Sequence, residues 1–427
     1  PGGDCAHEKL GKSLDWTYEN DLHSYRSCAM GVSSVARQMD RDYAMIESFH
    51  SVGWSMTLQD AKWMLDLLAS MGINFYNVHA FYYTMDSITK HDAPPSQFLQ
   101  NPYWKHYHLL ADYAGRLSAW LSNTVSTNHV AVLDPVVSYW THLANPFHKF
   151  GYAGMDEEEK ADLQTLKDDW MHIIKEMRYS HIGADLLDTE ILAMAQVEDG
   201  RIKIGRAEYD TLVLTPNTAL ESTATQKVKE LLASGGHVIA LGLLPYQSVD
   251  KDAHPEATWK EIFGVDRDIY SDYWNSEKNK GAGVEIIQKD HAVFVSTAGN
   301  VKQAGDEERW LSLIAEAAQC PLEVHVKEAD RKSLFSSIRR GKEGELYLML
   351  GNYERNYVDA SISLKADYKG AWSMNVEDGS ICGIAMDGGR VELSLAPFET
   401  KLIRFDQKAA QVKEEQTPII VIDTAEA

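Results

Sequence analysis

The chain has 427 residues, a length at which a single hydrophobic core usually gives way to two or more domains. It is 44% hydrophobic and 10% aromatic, and no apolar run approaches the roughly 18 residues of a membrane span. With 63 acidic and 41 basic residues the net charge is -22, which would repel a phosphate backbone. Neither nucleic acid nor a membrane is therefore an expected partner.

The cysteines and the two ends of the chain say little about the cell compartment. The four cysteines are far apart and form no CxxC pair, so they predict neither a zinc site nor a disulfide scaffold. No signal peptide precedes Pro1, and the chain stops within an apolar run, PIIVIDTAEA, that resembles the start of a strand. We therefore expect a fragment of a longer protein, from the cytoplasm, the periplasm or the exterior.

The first 125 residues are predicted to alternate helices with strands. Strands are expected at 43–49 and at 73–83, where β-branched and aromatic residues are concentrated. The order is helix, strand, helix, strand, helix, without hairpin turn signals, which indicates parallel βα units. This pattern is typical of the last part of a βα barrel of the TIM type, or of part of an open sheet. We expect residues 1–125 to form the C-terminal portion of such a barrel.

Two helix starts are visible in this region. Thr57, with Asp60 three residues later, resembles a capping box, and the helix is predicted to end at Gly72. A second helix is predicted to start in the segment NPYW, with Asn101 as its cap and Pro102 at its first position.

A second βα series predicts a flavodoxin-like, doubly wound domain over residues 126–330, similar to an amidotransferase domain. The Gly235–Gly236 pair lacks a phosphate-loop pattern, so we interpret it as the end of a helix rather than a nucleotide site. The predicted elements are a strand at 129–135, a long helix around 157–178, a strand at 210–216, a helix near 223–234 and a strand at 235–242.

The sequence pattern changes after Gly341, where short strands of alternating polarity are separated by Asp-Gly and Gly-Gly turns. This pattern predicts a small β-sandwich over 331–406. Residues 407–427 begin with the polar segment DQKAAQVKEEQTP and are predicted to be a linker and the start of a further domain.

The candidate functional residues lie at the ends of the two predicted strands of the first region. Glu47 and His79 end successive strands, and in a βα barrel such residues line the active site. Flat apolar rings with polar edges suit sugars, because they stack on the rings and bond the hydroxyls. Glu47 alone is also compatible with a structural carboxylate, and the aromatics with core. The predicted sugar contacts are His50, Trp54, His79, Tyr82, Asp92 and Trp104.

Several of these residues have an ordinary structural interpretation that stays open. Asp92, in the segment KHDAPPS, is as compatible with a turn before the prolines as with a substrate contact. His79 has no second ligand at metal spacing on its strand, so no metal site is predicted.

The same residues carry a family resemblance. The runs ESFHSVGWSMTLQDAKWMLDLLASMGINFYNVHAFYY, DAPPS, NPYWKHYHLLADYAGRLSAWLS and VAVLDPVVSYW are similar to the C-terminal half of the catalytic region in bacterial glycoside hydrolases of family 106, the α-L-rhamnosidase-like enzymes. The pattern GRIKIGRAEYDTLVLTPNT followed by SGGHVIALG resembles the domain after the barrel in those enzymes and in β-galactosidase-like enzymes. The resemblance spans roughly residues 25–245.

The resemblance implies a carbohydrate substrate and two catalytic carboxylates. Glu47 matches the carboxylate on a late barrel strand, with general base as its favoured role. The other carboxylate would precede residue 1, or, if the chain is complete, would come from candidates such as Glu19, Asp21, Asp86 or Asp92. An inverting reaction with a calcium ion near the sugar is also implied, although no DxDxDG loop is present. No other cofactor is evident.

Two further hypotheses remain. A non-hydrolytic carbohydrate-binding homologue would keep the aromatics and lack the second carboxylate. An amidotransferase-like or nucleotide-binding role for the doubly wound domain would need a nucleophile elbow or a phosphate loop, and neither is visible.

Overall fold

The computed structural model describes most of the chain. Only the backbone is described at 2–5 and at Thr89, and of the predicted linker and further domain at 407–427 only residue 407 is included. The described ranges are 2–5, 12–23, 28–142, 155–247, 249–250, 254–275, 283–297 and 299–407.

The N-terminal region contains a parallel sheet of three described strands in the order β1-β2-β3, so that β2 lies in the middle. Helices connect the strands, as the sequence predicts. The elements are β1 (Gly2–Cys5), α1 (Leu14–His23), α2 (Ala29–Gln38), β2 (Met45–Ser48), α3 (Leu58–Ser70), β3 (Phe75–Val78), α4 (Tyr107–Asn123) and the short β4 (Val125–Ser126).

The α3 helix begins and ends where the sequence predicts. The Thr57 hydroxyl accepts a hydrogen bond from the backbone N–H of Asp60 at 3.1 Å, and the Asp60 carboxylate accepts the backbone N–H of Thr57 at 2.7 Å. This is the predicted capping box. Gly72 follows the helix with φ +91°, in the left-handed region, and thereby turns the chain into β3.

Two other predictions in this region are wrong. The strand expected over 73–83 covers only β3, because the chain leaves the sheet at His79. The helix expected to start at Asn101 starts at Tyr107. The Asn101 side chain instead accepts from the backbone N–H of Tyr103 at 2.9 Å and donates to the Ser96 carbonyl at 3.0 Å, so it stabilises a turn before the helix.

The central region is built on a larger sheet in the order β12-β13-β11-β10-β5-β6, in which β12 alone of the described strands is antiparallel. An antiparallel meander, β7-β8-β9, packs beside it. The elements are β5 (Val130–Leu133), α5 (Val136–His142), α6 (Glu157–Tyr179), β6 (Ala184–Leu187), α7 (Thr189–Met194), β7 (Gln196–Glu198), β8 (Arg201–Ile204), β9 (Ala207–Tyr209), β10 (Thr211–Leu214), α8 (Ser222–Ala233), β11 (His237–Leu241), α9 (Pro255–Phe263), β12 (Glu285–Lys289), β13 (Ala292–Ser296), α10 (Val301–Ala304) and α11 (Glu307–Ala317).

The C-terminal region consists of two antiparallel sheets, β14-β17-β20 and β19-β18-β21-β16-β15-β4, around one apolar cluster. The second sheet includes β4, which comes directly after α4 in the chain and pairs with β15. The elements are β14 (Leu322–Val326), β15 (Leu334–Arg340), β16 (Leu346–Asn352), β17 (Val358–Leu364), β18 (Gly370–Met374), β19 (Ile381–Ile384), β20 (Arg390–Leu395) and β21 (Thr400–Asp406).

The hydrophobic cores connect these regions. Helices α1 to α4 pack against residues of the C-terminal sheets such as Phe335, Met349 and Tyr353. The two faces of the central sheet are covered by separate clusters, one of which also includes Leu22 and Met30 of the N-terminal helices. Each fully buried side chain of this size contributes about 1.5–3 kcal/mol. Among the described helices, none is long and apolar enough to cross a membrane.

Candidate active site

Glu47 lies on the middle strand of the N-terminal sheet, one residue before its carboxyl end. Its side chain is 34% exposed, and its Oε1 lies 3.9 Å from Nε2 of His79. This separation is too long for a direct hydrogen bond, but it places the carboxylate and the imidazole side by side. A half-exposed carboxylate beside an imidazole can hold and transfer a proton of a bound hydroxyl or water.

The chain turns sharply after β2, and the turn determines which side chains surround Glu47. Phe49 has φ +75° and Ser51 has φ +58°, in the left-handed region that costs a non-glycine residue about 1–3 kcal/mol. Burial of the Phe49 ring, which is 1% exposed, offsets this cost. The turn brings His50 back toward the neighbouring strand.

His50 and His79 contact each other edge to face. Their ring centroids are 5.1 Å apart with an interplanar angle of 85°. The backbone N–H of His79 donates to the Ser48 carbonyl at 2.9 Å, which fixes the residue at the end of β3. Its Nδ1 is buried and has no hydrogen-bond partner among the described residues. The structure therefore brings Glu47, His50 and His79 together.

Tyr82 and Asp92, both predicted as sugar contacts, contact each other through the Tyr82 hydroxyl and the backbone carbonyl of Asp92. The Tyr82 hydroxyl donates to the backbone carbonyls of Asp92 at 2.6 Å and Ala93 at 3.0 Å. Burial raises the pKa of Tyr82, and the nearby Asp92 raises it further. The Tyr82 ring lies 6.0 Å from that of His79, so one face of the site is formed by this tyrosine.

Trp54 and Trp104 occupy different environments. Trp54 is 43% exposed, and its Nε1 donates to the Lys90 carbonyl at 3.0 Å, which holds an open ring face at the surface. Trp104 belongs to an aromatic group with Phe81, Phe98 and Tyr107 and packs against the core below the sheet. Trp54 is thus the better placed of the two for stacking on a sugar.

The strand register shows one carboxylate residue that the sequence reasoning missed. Asp4 on β1 lies directly opposite Glu47, and Asn77 on β3 lies opposite it on the other side. Neighbouring strands are about 4.8 Å apart. The segment GGDC has two glycines and no β-branched residue, so nothing in its composition predicts a strand.

Two of the alternative carboxylates have structural partners. Glu19 accepts a hydrogen bond from Nζ of Lys175 on α6 at 2.9 Å. Asp21 is 5% exposed and accepts the backbone N–H of Ala29 at 3.0 Å, at the start of α2. Both carboxylates therefore stabilise helix packing.

The residues that the structure describes do not fit the calcium ion that the resemblance implies. Within the described ranges, no group of three or more His, Cys, Asp or Glu side chains is arranged to hold a metal ion. Calcium usually takes six to eight oxygen ligands. We therefore derive no chemical step through calcium.

Comparison with known proteins identifies similar structures only. No family model matches the sequence, and no curated protein matches it. A rhamnosidase from Novosphingobium sp. PP1Y superposes with a TM-score of 0.59 at 15% identity, over 97% of this chain and 35% of that one. A GH42 β-galactosidase from G. stearothermophilus gives 0.59 at 12% identity, over 95% and 59%. A β-galactosidase from Bacillus circulans sp. alkalophilus gives 0.58 at 10% identity, over 95% and 60%.

The chain thus spans between 35% and 60% of the length of these three structures. At such low identity the likeness establishes the fold and not the activity. The chain has a mixed α/β fold whose structural neighbours are glycoside hydrolases.

Proposed function

We propose that this chain is part of a glycoside hydrolase of the α-L-rhamnosidase-like type, family 106. In this proposal residues 1–125 complete a βα barrel, 126–330 form a flavodoxin-like domain and 331–406 form a β-sandwich. Support comes from the alignment of 97% of the chain with a rhamnosidase and from the parallel order of β1, β2 and β3.

The observation that carries the proposal is the position of Glu47. It is a half-exposed carboxylate near the carboxyl end of a parallel strand, 3.9 Å from a histidine that ends the next strand. Active sites of βα barrels lie at this end of the strands. A carboxylate needed only for stability is more often fully paired, as Glu176 is with Arg331 at 2.6 Å and Lys332 at 3.2 Å.

Glu47 acts in this proposal as the general base of an inverting hydrolysis. It removes a proton from a water molecule, whose oxygen attacks the anomeric carbon, while a second carboxylic acid protonates the leaving oxygen on the opposite face. Inversion requires the two carboxyl groups to be about 6.5–9.5 Å apart. His79 and His50 bind sugar hydroxyls beside the base, and Trp54 stacks on the ring.

The second carboxylate lies outside this chain or belongs to Asp4, Asp86 or Asp92. Asp4 is the carboxylate residue that the strand register puts opposite Glu47.

A β-galactosidase-like glycosidase is the second candidate function. The GH42 β-galactosidase superposes with the same TM-score as the rhamnosidase, 0.59, and over a larger share of its own length. A non-hydrolytic carbohydrate-binding protein is the third candidate, and it predicts sugar binding without turnover.

The test uses Glu47→Gln in the full-length protein encoded by the gene. This change preserves the shape of the side chain and removes proton transfer, so turnover of an aryl α-L-rhamnoside should fall ~10²–10⁴-fold with near-normal substrate binding. If Glu47 is the base, azide should restore part of the turnover, because it needs no deprotonation. Glu19→Gln is the matched control, because Glu19 pairs with Lys175 instead.

The stereochemistry of the product distinguishes the candidate functions. Inversion at the anomeric carbon supports the rhamnosidase-like mechanism, whereas retention together with cleavage of an aryl β-galactoside supports the second candidate. A Glu47→Gln enzyme with most of its activity on every glycoside it cleaves would remove Glu47 from the mechanism.

A further inference from the structure

A cavity of about 140 Å³ lies where the three regions of the molecule meet, and we refer to it as the junction cavity. It is bounded by the C-terminal ends of α2, α4 and α6 and by β15. Water needs only about 10–15 Å³ of such volume, so the cavity accommodates a ligand of several heavy atoms. It is separate from the site around Glu47, whose side chain does not line it.

The charge of the junction cavity is opposite to that of the whole chain. Five arginines and two aspartates line it, so five positive charges against two negative charges leave three positive charges. The chain as a whole has a net charge of -22. The ionised residues of the lining are Arg37, Arg41, Arg178, Arg206, Arg339, Asp42 and Asp185.

Both aspartates are already engaged by arginines. Asp185 pairs with Arg37 at 2.5 Å and also accepts the Tyr209 hydroxyl at 2.8 Å. Asp42 pairs with Arg206 at 3.3 Å. The excess positive charge therefore belongs to the other arginines of the lining.

Arg178 and Arg339 are bound by neutral groups only. Arg178 donates to the Ser70 hydroxyl at 3.2 Å, and its Nε is buried without a hydrogen-bond partner in the described part of the chain. Arg339 donates through Nε to the Thr124 hydroxyl at 2.7 Å and through Nη2 to the Leu121 carbonyl at 2.9 Å. Neither guanidinium pairs with a carboxylate among the described residues.

The environment of Arg339 is correspondingly unfavourable for its charge. Burial and the positive charge of Arg37, partly offset by Asp185, lower the pKa of the Arg339 guanidinium to about 9. A buried guanidinium without a negatively charged partner is costly, so an anion in the junction cavity would stabilise this arrangement.

His181 lies in the same lining and adds no charge to it. The residue is 8% exposed, its Nδ1 is 2.8 Å from the Ser336 hydroxyl, and its Nε2 is buried. Burial and the positive charges of Arg178 and Arg331 together lower the pKa of His181 to about 4, so the ring is neutral at pH 7. The positive charge of the lining is therefore that of the arginines alone.

We propose that the junction cavity binds a small oxyanion of the phosphate or sulfate class, held by Arg41, Arg178 and Arg339. Guanidinium groups match such oxyanions because their planar N–H forks donate two parallel hydrogen bonds and are weakly hydrated. The three uncompensated positive charges favour a doubly charged anion over a singly charged carboxylate such as acetate. This site is independent of the proposed glycosidase activity.

Binding there would connect the three regions of the molecule. Arg178 is on α6, Arg339 is on β15 and Arg41 follows α2, so one anion would engage all three regions at once. A ligand that binds only the folded state stabilises it in proportion to the logarithm of its concentration. We therefore expect the melting temperature to rise with phosphate concentration.

The test measures phosphate binding to the full-length protein by calorimetry, with sodium chloride at matched ionic strength as the reference and acetate as a second anion. Arg178→Gln and the exposed Arg41→Gln should each weaken phosphate binding about tenfold, the effect of losing one charge-assisted hydrogen bond. Arg355→Gln makes the same charge change at an exposed position outside the cavity and should leave binding unchanged.

Arg41→Gln keeps the test decisive if Arg178→Gln fails to fold, because Arg41 is exposed. Saturable phosphate binding that both cavity variants weaken and Arg355→Gln does not would support the proposal. Phosphate binding no stronger than that of chloride or acetate would overturn it, as would equal binding by all three variants.

Discussion

The N-terminal sheet is parallel in its described strands and the central sheet is parallel except for β12, but the two sheets differ in how they are covered. Every residue of β5, β6 and β10 in the central sheet is buried. In the N-terminal sheet β2 alternates between half-buried and buried residues, and no residue of β3 is fully buried. A sheet covered on both faces serves stability, whereas a partly open sheet can present polar groups to a ligand.

The carboxylates of the two regions differ in the same way. Asp134, just after β5, has its pKa raised to about 8 by burial, although the Trp170 indole N–H donates to it at 3.0 Å. Glu47 remains 34% exposed. The comparison teaches that position at a strand end does not by itself make a carboxylate reactive, because its exposure decides whether substrate can reach it.

Truncation of a core residue should give the largest difference in stability between the two sheets. Leu212 on β10 is 0% exposed, so Leu212→Ala should lower the free energy of unfolding by about 2–5 kcal/mol. Phe75 on β3 is 49% exposed, and Phe75→Ala should cost less than about 1 kcal/mol. Denaturant unfolding of both variants measures this, and equal losses would contradict the comparison.

Asp134 should make stability depend on pH. Its folded pKa of about 8 lies above its ordinary value of 3.8, so between these values the folded state retains a proton that the unfolded state has lost. Its contribution to stability therefore falls as the pH rises from about 4 to 8 and is constant above that. Asp134→Asn cannot ionise, so its stability relative to the original chain should increase over this interval.

Thermal unfolding of both proteins at several pH values measures this difference. Parallel stability profiles for the original chain and Asp134→Asn would show that Asp134 ionises normally in the folded protein. Asp359→Asn, at an exposed position on β17, is the matched control.

Substitution of Trp54 should mainly affect sugar binding, whereas substitution of Trp104 should mainly affect stability. Trp54→Ala should weaken sugar binding by about 1–3 kcal/mol with little change in melting temperature, because the ring is 43% exposed. Trp104→Ala should mainly lower the melting temperature, because the ring packs with Phe98 and Tyr107. Calorimetric titration with the sugar checks both, and unchanged affinity in Trp54→Ala would exclude a stacking role.

The cap of α3 should give the smallest effect. Thr57→Ala removes the hydroxyl that accepts from the Asp60 backbone and should cost about 1 kcal/mol, whereas Thr57→Ser should retain most of the stability. Chemical denaturation resolves this difference. A Thr57→Ser variant as unstable as Thr57→Ala would indicate that the methyl group, and not the cap, matters.

The sequence predicts elements well where local chemistry determines them. Thr57 and Asp60 form their capping box within a single helical turn, so no distant residue is needed. The buried strands β5, β10 and β11 are continuous apolar runs, and each lies within its predicted range. The helix predicted around 157–178 is observed at Glu157–Tyr179, because the pattern that predicts it is also local.

The failures have two causes. One is local: the Asn101 side chain could cap a helix, but it donates to the Ser96 carbonyl and stabilises a turn instead. The other is a distant contact. The strand β1 exists through its pairing with β2, more than 40 residues away, which its own sequence does not indicate. For the site, the sequence predicts that Glu47 and His79 are neighbours, but it does not predict that Tyr82 binds the carbonyl of Asp92 or that Trp104 is part of an aromatic cluster.

The pairing of β4 with β15 has a consequence for the order of folding. Arg339 donates to Thr124 at the end of α4, and these two residues are separated by 215 positions in the chain. At synthesis rates of about 5–20 residues per second, the ribosome adds Arg339 about 10–40 s after Thr124. During that interval the carbonyls at the end of α4 lack their native donor and β4 lacks its native neighbour. The nascent chain thus carries a short unpaired strand edge during this interval, and chaperone binding would protect it.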